Sequence, residues 1–338
     1  MNSFGRVFRI TIFGESHGFV VGINIDGCPA GIPLTVDDFT NDLSRRRAGK
    51  EGTTPRVEDD IPELVSGWFN GYTTGAPLTI FFNNKDIRSG DYANLKDTPR
   101  PGHADFVARQ KFNGFNDYRG GGHFSGRLTL ALVAAGVVAK KIIPKISINA
   151  LLIEAGGNTN IAEAVSRARE AGDSIGGMVE CRADFIPVGY GEPFFDSVES
   201  VISHLAFSIP AIKGIEFGSG FSAARMTGLQ HNDPIINELG RTATANAGGI
   251  TGGITNGNEL VFRVAVKPAS SIPKLQQTFS FSTHTVEELK IEGRHDVCIA
   301  LRVPVILEAI TAIVLADFML VSGKEYKNKR IRPTETMR

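Results

Sequence analysis

Two stretches of the chain, 128–141 and 304–321, are apolar on nearly every face at helical spacing. A helix without a polar stripe has no side to turn to water, so both must be buried and the rest of the fold must be built around them. Neither is expected to cross a bilayer: the first is too short, and Glu308 and Asp317 break the second. β-Branched and aromatic runs at Val7 to Phe13, Val20 to Asp26, Leu64 to Phe69, Pro77 to Asn83, Met178 to Arg182, Lys213 to Phe217 and Glu259 to Val266 read as strands. Further helices are expected at Ile161 to Ala171, at Ser197 to Phe207, and from a Thr35/Asp38 capping signal to Arg47. Hairpin-like neighbours outnumber strand–helix alternation. The expected fold class is therefore α+β, a layered fold rather than a doubly wound sheet. No strong linker interrupts it, so residues 1–323 are expected to form one domain and 324–338 a polar, basic tail.

Charge narrows the partners. Lysine plus arginine and aspartate plus glutamate each number 36, so no net field draws the chain to nucleic acid or to an anionic membrane, and any anion site must be local. The three cysteines, Cys28, Cys181 and Cys298, form no CxxC pair and no zinc-type spacing. With no apolar run behind a basic N-terminus, a reduced cytoplasmic protein is the expectation.

The 38 glycines come in clusters, and five clusters place a histidine or a basic residue beside them or in a short polar turn: Gly14 to Gly18, Arg100 to His103, Arg119 to Arg127, Lys267 to Ser271 and Gly293 to Asp296. Arginine side chains with glycine amides are what recognition of phosphate and carboxylate requires. Taken singly, His17 is most simply a turn histidine, and Arg100, Arg127 and Arg294 are surface ion-pair partners. The recurrence is what points to a multi-anion site.

Two glycine patterns are decoys. Gly218 to Ala223 fits the dinucleotide fingerprint, but the following segment lacks a helical apolar stripe and contains Gly228. Gly120-Gly121-Gly122 lacks the lysine and hydroxyl residue of a phosphate loop. The tandem pairs of Gly248 to Gly257 fit either a hairpin or a flat backbone surface beneath a planar ring.

The segments FGESHG, RPGHAD, DYRGGGHFSGRLT, NAGGITGGITNG, KPASS and GRHDVC, in this order from Phe13 to Cys298, resemble the chorismate synthase family. The resemblance implies an anti-1,4-elimination of phosphate and a proton from 5-enolpyruvylshikimate 3-phosphate, with reduced FMN required and no net redox. It also implies a single-domain layered sandwich of antiparallel sheets and helices, assembled as a homotetramer, and, for a chain without an added reductase domain, an external flavin reductase with NADPH as a possible reductant.

Carried over by the resemblance, His17 matches the histidine that protonates the departing phosphate. His103 matches the histidine near the flavin, and Asp296 the aspartate beside flavin N5; Ser16 joins them as a hydrogen-bonding partner. Arg46, Arg47, Arg100, Arg127 and Arg294, with Ser125, resemble the substrate clamp. His123, Phe124, Ser125, Ala211, Asn246, Gly252, Lys267, Pro268, Ala269, Ser270, Ser271 and Arg294 correspond to flavin-contacting stretches. The chain departs from the family where many members carry Arg-Ser-Ser and it carries His123-Phe124-Ser125. It also lacks an arginine between Ala48 and Thr54, where Lys50 is the nearest basic residue, and its Leu151 to Asp173 segment is short.

Two other readings stay open at this level. One is an FMN- and NADPH-dependent oxidoreductase. The other is a non-catalytic binder of a phosphorylated metabolite, which would need the arginines but not His17, His103 and Asp296 together.

Overall fold

The computed structural model describes residues 2–49, 51–54, 58–85, 95–291 and 295–323. The two apolar segments form helices Thr129–Ile142 and Val303–Val321, which pack on each other between two antiparallel sheets. Their closest approach is at Gly136, where a Cβ would stand 2.4 Å from that of Ala309, so only glycine lets the backbones come this near. The stretch Ile299–Val321 is in fact long and apolar enough to cross a membrane by length and composition. Its placement is settled by packing: 78% of its most apolar window is buried inside the fold. Its two acids do not break it, because both are bonded in place. Asp317 accepts the amide N–H groups of Arg6, Val7 and Phe8 at 2.9, 2.8 and 2.8 Å. Glu308 accepts from Arg45 at 2.7 and 2.6 Å, from Lys140 at 3.2 Å and from the Ala150 amide at 3.1 Å.

The first sheet runs in the order Ser3–Phe4, Arg9–Gly14, Val20–Asp26, Leu78–Asn83, Glu63–Ser66. Its register places Val21 opposite Phe82, Ile23 opposite Ile80 and Ile25 opposite Leu78, all fully buried against the Thr129–Ile142 helix. This period of two is what the sequence alternation requires. The second sheet, in the order Ile212–Phe217, Leu260–Val266, Gly177–Asp184, Ser147–Ala155, packs on the Val303–Val321 helix.

Several elements differ from expectation. The Leu64 to Phe69 run is two strands, split at Gly67, whose φ of +73° and approach to Leu78 turn the chain. The capped helix opens as a 3-10 turn, Val36–Phe39, before Thr40–Arg46, with the Asp38 carboxylate accepting the Thr35 amide at 2.7 Å. Strand Ser147–Ala155, helix Asp105–Lys111 and the hairpin Gln276–Ser280/Thr285–Leu289 were not expected. The dinucleotide decoy ends in a 3-10 turn, Gly220–Arg225, and a four-residue helix, Gly228–His231, not in a phosphate-binding helix. The Gly248 to Gly257 run contains a hairpin pairing Ile250–Thr251 with Ile254–Thr255, and Gly252 and Gly253 both take positive φ in its turn.

Candidate active site

At one end of the sandwich, loops from both sheets and the starts of both core helices enclose a cavity of about 730 Å³. The volume is in the range of small-molecule sites. Each loop is held by its own short-range chemistry. After strand Arg9–Gly14 the chain turns so that Ser16 donates its amide to the Gly122 carbonyl at 3.1 Å. Gly120, Gly121 and Gly122 all have positive φ, a conformation that glycine adopts without strain.

This triple glycine is a bed for two histidines. A Cβ on Gly120 would lie 2.2 Å from Nδ1 and Cε1 of His17, and one on Gly121 would lie 3.4 Å from Cε1 and 3.5 Å from Nε2 of His103. His103 lines the cavity and His17 sits buried at its edge, behind Ser16 and Gly120.

His103 is aimed by Asp105. Its Nδ1 is 2.6 Å from Asp105 Oδ1, while Arg100 donates to the same carboxylate through Nε at 2.7 Å and Nη2 at 2.8 Å. Burial would raise the Asp105 pKa, but the hydrogen bonds from Arg100 and His103 outweigh it and hold the carboxyl well below the usual range. Arg100 Nη2 also stands 3.0 Å from His103 Nδ1, but an ionised Asp105 can only accept, and its shorter contact favours a hydrogen on Nδ1, with Nε2 left for proton exchange.

The Lys267 to Ser271 turn is stitched to the same loop. Lys267 Nζ donates to the Gly102 carbonyl at 2.8 Å and to Ser270 Oγ at 2.7 Å, and Arg100 Nη1 donates to Ser271 Oγ at 3.1 Å. Burial, and then the charge of Lys213, push the Lys267 amine down from its ordinary value. Asp296 enters from the opposite side, accepting the Thr54 amide at 2.9 Å and facing Arg302 Nη1 at 3.5 Å.

The cationic wall comes from Arg46, Arg47 and Arg127. Arg46 and Arg127 are buried and share one carboxylate, Asp60, whose Oδ2 is 3.3 Å from Arg46 Nη2 and whose Oδ1 accepts from Arg127 Nη1. Burial first, then the Arg302 charge, lower the Arg46 pKa from the usual arginine range, with Asp60 opposing. Among the described residues, Arg46 Nε, Arg47 Nε and Arg127 Nη2 are buried N–H groups with no hydrogen-bond partner. Such donors are costly unless a ligand completes them, at about 1–3 kcal/mol each.

Of the sequence-selected residues, the cavity therefore gathers Ser16, Arg46, Arg47, Arg100, His103, His123, Phe124, Ser125, Arg127, Ala211, Lys267 through Ser271 and Asp296, with His17 at its edge. His123 is turned away from the arginines, with Nδ1 2.8 Å from the Gly14 carbonyl and Nε2 3.2 Å from Asn2 Oδ1. Asn246 and Gly252 do not line it. Asn246 is held by Ser219, Gln230 and Asp233 beside the second sheet, and Gly252 is in the hairpin turn. Arg294 and Lys50 lie outside the described residues, as does the 324–338 tail. Sequence reasoning missed Asp60, Asn84, Asp105, His295 and Arg302. Asp105 stood in plain view two residues after His103, whereas Asp60 was hidden in an acidic run that reads as a solvated face.

Leu205, Ile209, Pro210, Ile299 and Ile306 add apolar lining to the same cavity. The apolar lining fits a flat ring such as that of reduced FMN, and the arginines fit the phosphate and carboxylates of a substrate. Among the described residues no cluster of metal-ligating side chains occurs.

Fold and cavity together define an α+β enzyme that performs acid–base chemistry on a polyanionic small molecule. The chorismate synthase family profile matches residues 8–320. A chorismate synthase of Chitinophaga pinensis is 62% identical over 97% of this chain and 100% of its own length, and one of Dehalococcoides mccartyi is 46% identical over 95% and 97%. A crystal structure of chorismate synthase superposes with a TM-score of 0.72 at 27% identity, covering 94% of this chain and 93% of that one. The chain belongs to the chorismate synthase family. Its activity is accordingly that of a carbon–oxygen lyase forming chorismate, in a family that requires reduced FMN, and the oxidoreductase alternative is not favoured.

Proposed function

We propose that the cavity holds 5-enolpyruvylshikimate 3-phosphate in its cationic half and reduced FMN against its apolar half. The observation that carries this reading is the convergence of His103, Asp296, Arg46, Arg47, Arg100 and Arg127 on a single cavity, with His17 at its edge. Arg46, Arg47, Arg100 and Arg127 hold the phosphate and carboxylates by charge-assisted bonds, with Ser125 beside Arg127 and Arg294 as a further member of the clamp. His123, Phe124, Ala211 and Lys267 to Ser271 contact the flavin.

In the elimination the allylic carbon–oxygen bond to phosphate breaks, a ring proton four atoms away along the conjugated path is lost, and the second ring double bond forms. His17, steadied by Gly120 and neighbouring Ser16, delivers a proton to the departing phosphate oxygen. Reduced FMN, held by Ala211 and the Lys267 to Ser271 turn, would supply electron density for phosphate loss and an acceptor for the ring hydrogen. His103, oriented by Asp105, holds a proton at Nε2 beside the ring system, and Asp296 takes up the proton that must leave the site.

The chain works as one catalytic unit over residues 1–323 and as a homotetramer in the cytoplasm, with NADPH spent by a separate flavin reductase. The test is anaerobic: chemically reduced FMN and the enolpyruvyl substrate are added, and chorismate absorbance and phosphate release are followed. His17→Ala and His103→Ala should each lower turnover by roughly 10²-fold or more without loss of fold. Near-wild-type turnover in either variant would remove that histidine from the mechanism.

A further inference from the structure

Asp60 is a buried carboxylate in the cavity wall, bonded to two arginines, and it stands in a run of three acids, Glu58-Asp59-Asp60, each engaged differently. Glu58 accepts the Lys85 amide at 3.0 Å, and Asp59 pairs with Lys85 Nζ at 2.9 Å. Glu58 and Asp60 are both buried and line the cavity, and Asp60 takes a φ of +51°. An aspartate in this left-handed conformation is uncommon, so the neighbouring bonds must hold it there.

Those bonds divide the two guanidiniums between fixed and open positions. Oδ1 takes Arg127 Nη1 and Oδ2 takes Arg46 Nη2. The flanking positions are fixed as well: Arg127 Nε donates to Asn84 Oδ1 at 3.0 Å, and Arg46 Nη1 approaches Thr129 Oγ1 at 3.4 Å. Asn84 also donates to the Glu15 and Gly18 carbonyls at 3.1 and 2.8 Å, which ties Arg127 to the turn that carries His17. What remains are Arg46 Nε and Arg127 Nη2, buried and partnerless on two like charges that would otherwise repel each other. Among the described residues no other carboxylate bonds either arginine.

We propose that Asp60 is a positioning residue of the substrate clamp: one carboxylate, shared oxygen by oxygen, sets Arg46 and Arg127, which both line the cavity, at a fixed spacing and angle, so that the pair matches a large phosphorylated carboxylate rather than any small anion. The inference rests on the reading of the cavity as the substrate site. Removing the Asp60 charge makes the pocket more cationic, so Coulomb attraction for a small ion persists or grows. The alignment that a multi-point substrate needs is lost at the same time.

The two effects have opposite signs, which separates alignment from mere fold maintenance. Calorimetric binding of inorganic phosphate and of 5-enolpyruvylshikimate 3-phosphate, with thermal melting, would be measured for wild type, Asp60→Asn and Asp60→Gly. The glycine variant suits the positive φ and removes the carboxylate without backbone strain. The expected result is at least 10-fold weaker substrate binding in both folded variants, with phosphate binding equal or tighter. Equal loss of both ligands, or unchanged substrate affinity, overturns the proposal, as does failure of both variants to fold. If wild type binds phosphate but neither binds nor converts the enolpyruvyl substrate, the functional reading fails instead.

Discussion

The imidazole of His17 lies directly on the backbone of Gly120, so that a single added methyl group would sit 2.2 Å from its Nδ1. Gly120→Ala should therefore push the ring out of place while costing only about 1–2 kcal/mol for an alanine in the left-handed region. Turnover should fall by roughly 10²-fold with melting only modestly lowered. Wild-type turnover in this variant would mean that the position of His17 is not critical.

A second expectation concerns Asp105. Asp105→Asn keeps the volume but removes the charge shared by Arg100 and His103 and lets the imidazole adopt either tautomer. The kcat should drop by roughly 10²-fold, with a smaller change in KM. The Arg100 guanidinium would also be left underpaired, so melting temperature must be recorded beside the kinetics. A fall in KM-dependent binding alone, with kcat intact, would assign Asp105 to the clamp and not to His103.

How far the sequence could reach is visible in these two loops. Burial of both core helices follows from their lack of a polar stripe, and the sheet strands follow from alternation. The missed strand Ser147–Ala155 has a buried Ile148 and Ala150 in alternation, but exposed Leu151 masks the period. The site was legible as a set of glycine-flanked histidines and arginines, because phosphate recognition constrains residue type locally. Its supporting carboxylates were not. Asp60 meets Arg46 and Arg127, 14 and 67 residues away, and no local spacing records such contacts.

Acid should unfold this protein through its buried carboxylates. Burial would raise the pKa of Glu308, but Arg45 and Lys140 more than offset it, and the same balance holds Asp60 and Asp105 below their ordinary values. A carboxyl depressed in the folded state contributes stability in full above its unfolded pKa of about 4, and that contribution is lost as pH falls through the lower folded value. Melting temperature should thus be flat near neutrality with respect to these groups and decline below about pH 4. Glu308→Gln should cost about 2–3 kcal/mol at pH 7, less than a fully buried pair because Arg45 and Lys140 retain partial exposure. Its acid decline should also be shallower. An equal slope in variant and wild type would show that Glu308 does not carry the effect.

The last expectation separates elimination from net oxidation. Chorismate and phosphate together have the same oxidation level as the enolpyruvyl substrate, so a lyase of this family consumes no reductant per turnover. Asp296 reaches the cavity wall with one oxygen on the Thr54 amide and the other facing Arg302, and in the proposed reaction it takes up a proton. Asp296→Asn preserves shape and the amide contact, so the binding of substrate and of FMN, read by calorimetry and by flavin absorbance, should change less than about 3-fold. Product formation should slow by roughly 10²-fold, the scale of a lost acid–base group. Under strict anaerobiosis a limiting charge of reduced FMN should support many equivalents of chorismate in the wild-type protein, with the absorbance of oxidised flavin staying flat as phosphate accumulates. One chorismate per flavin oxidised, with arrest until reductant is restored, would require a different reaction at this cavity, and unaltered product formation in Asp296→Asn would move the proton relay to another group.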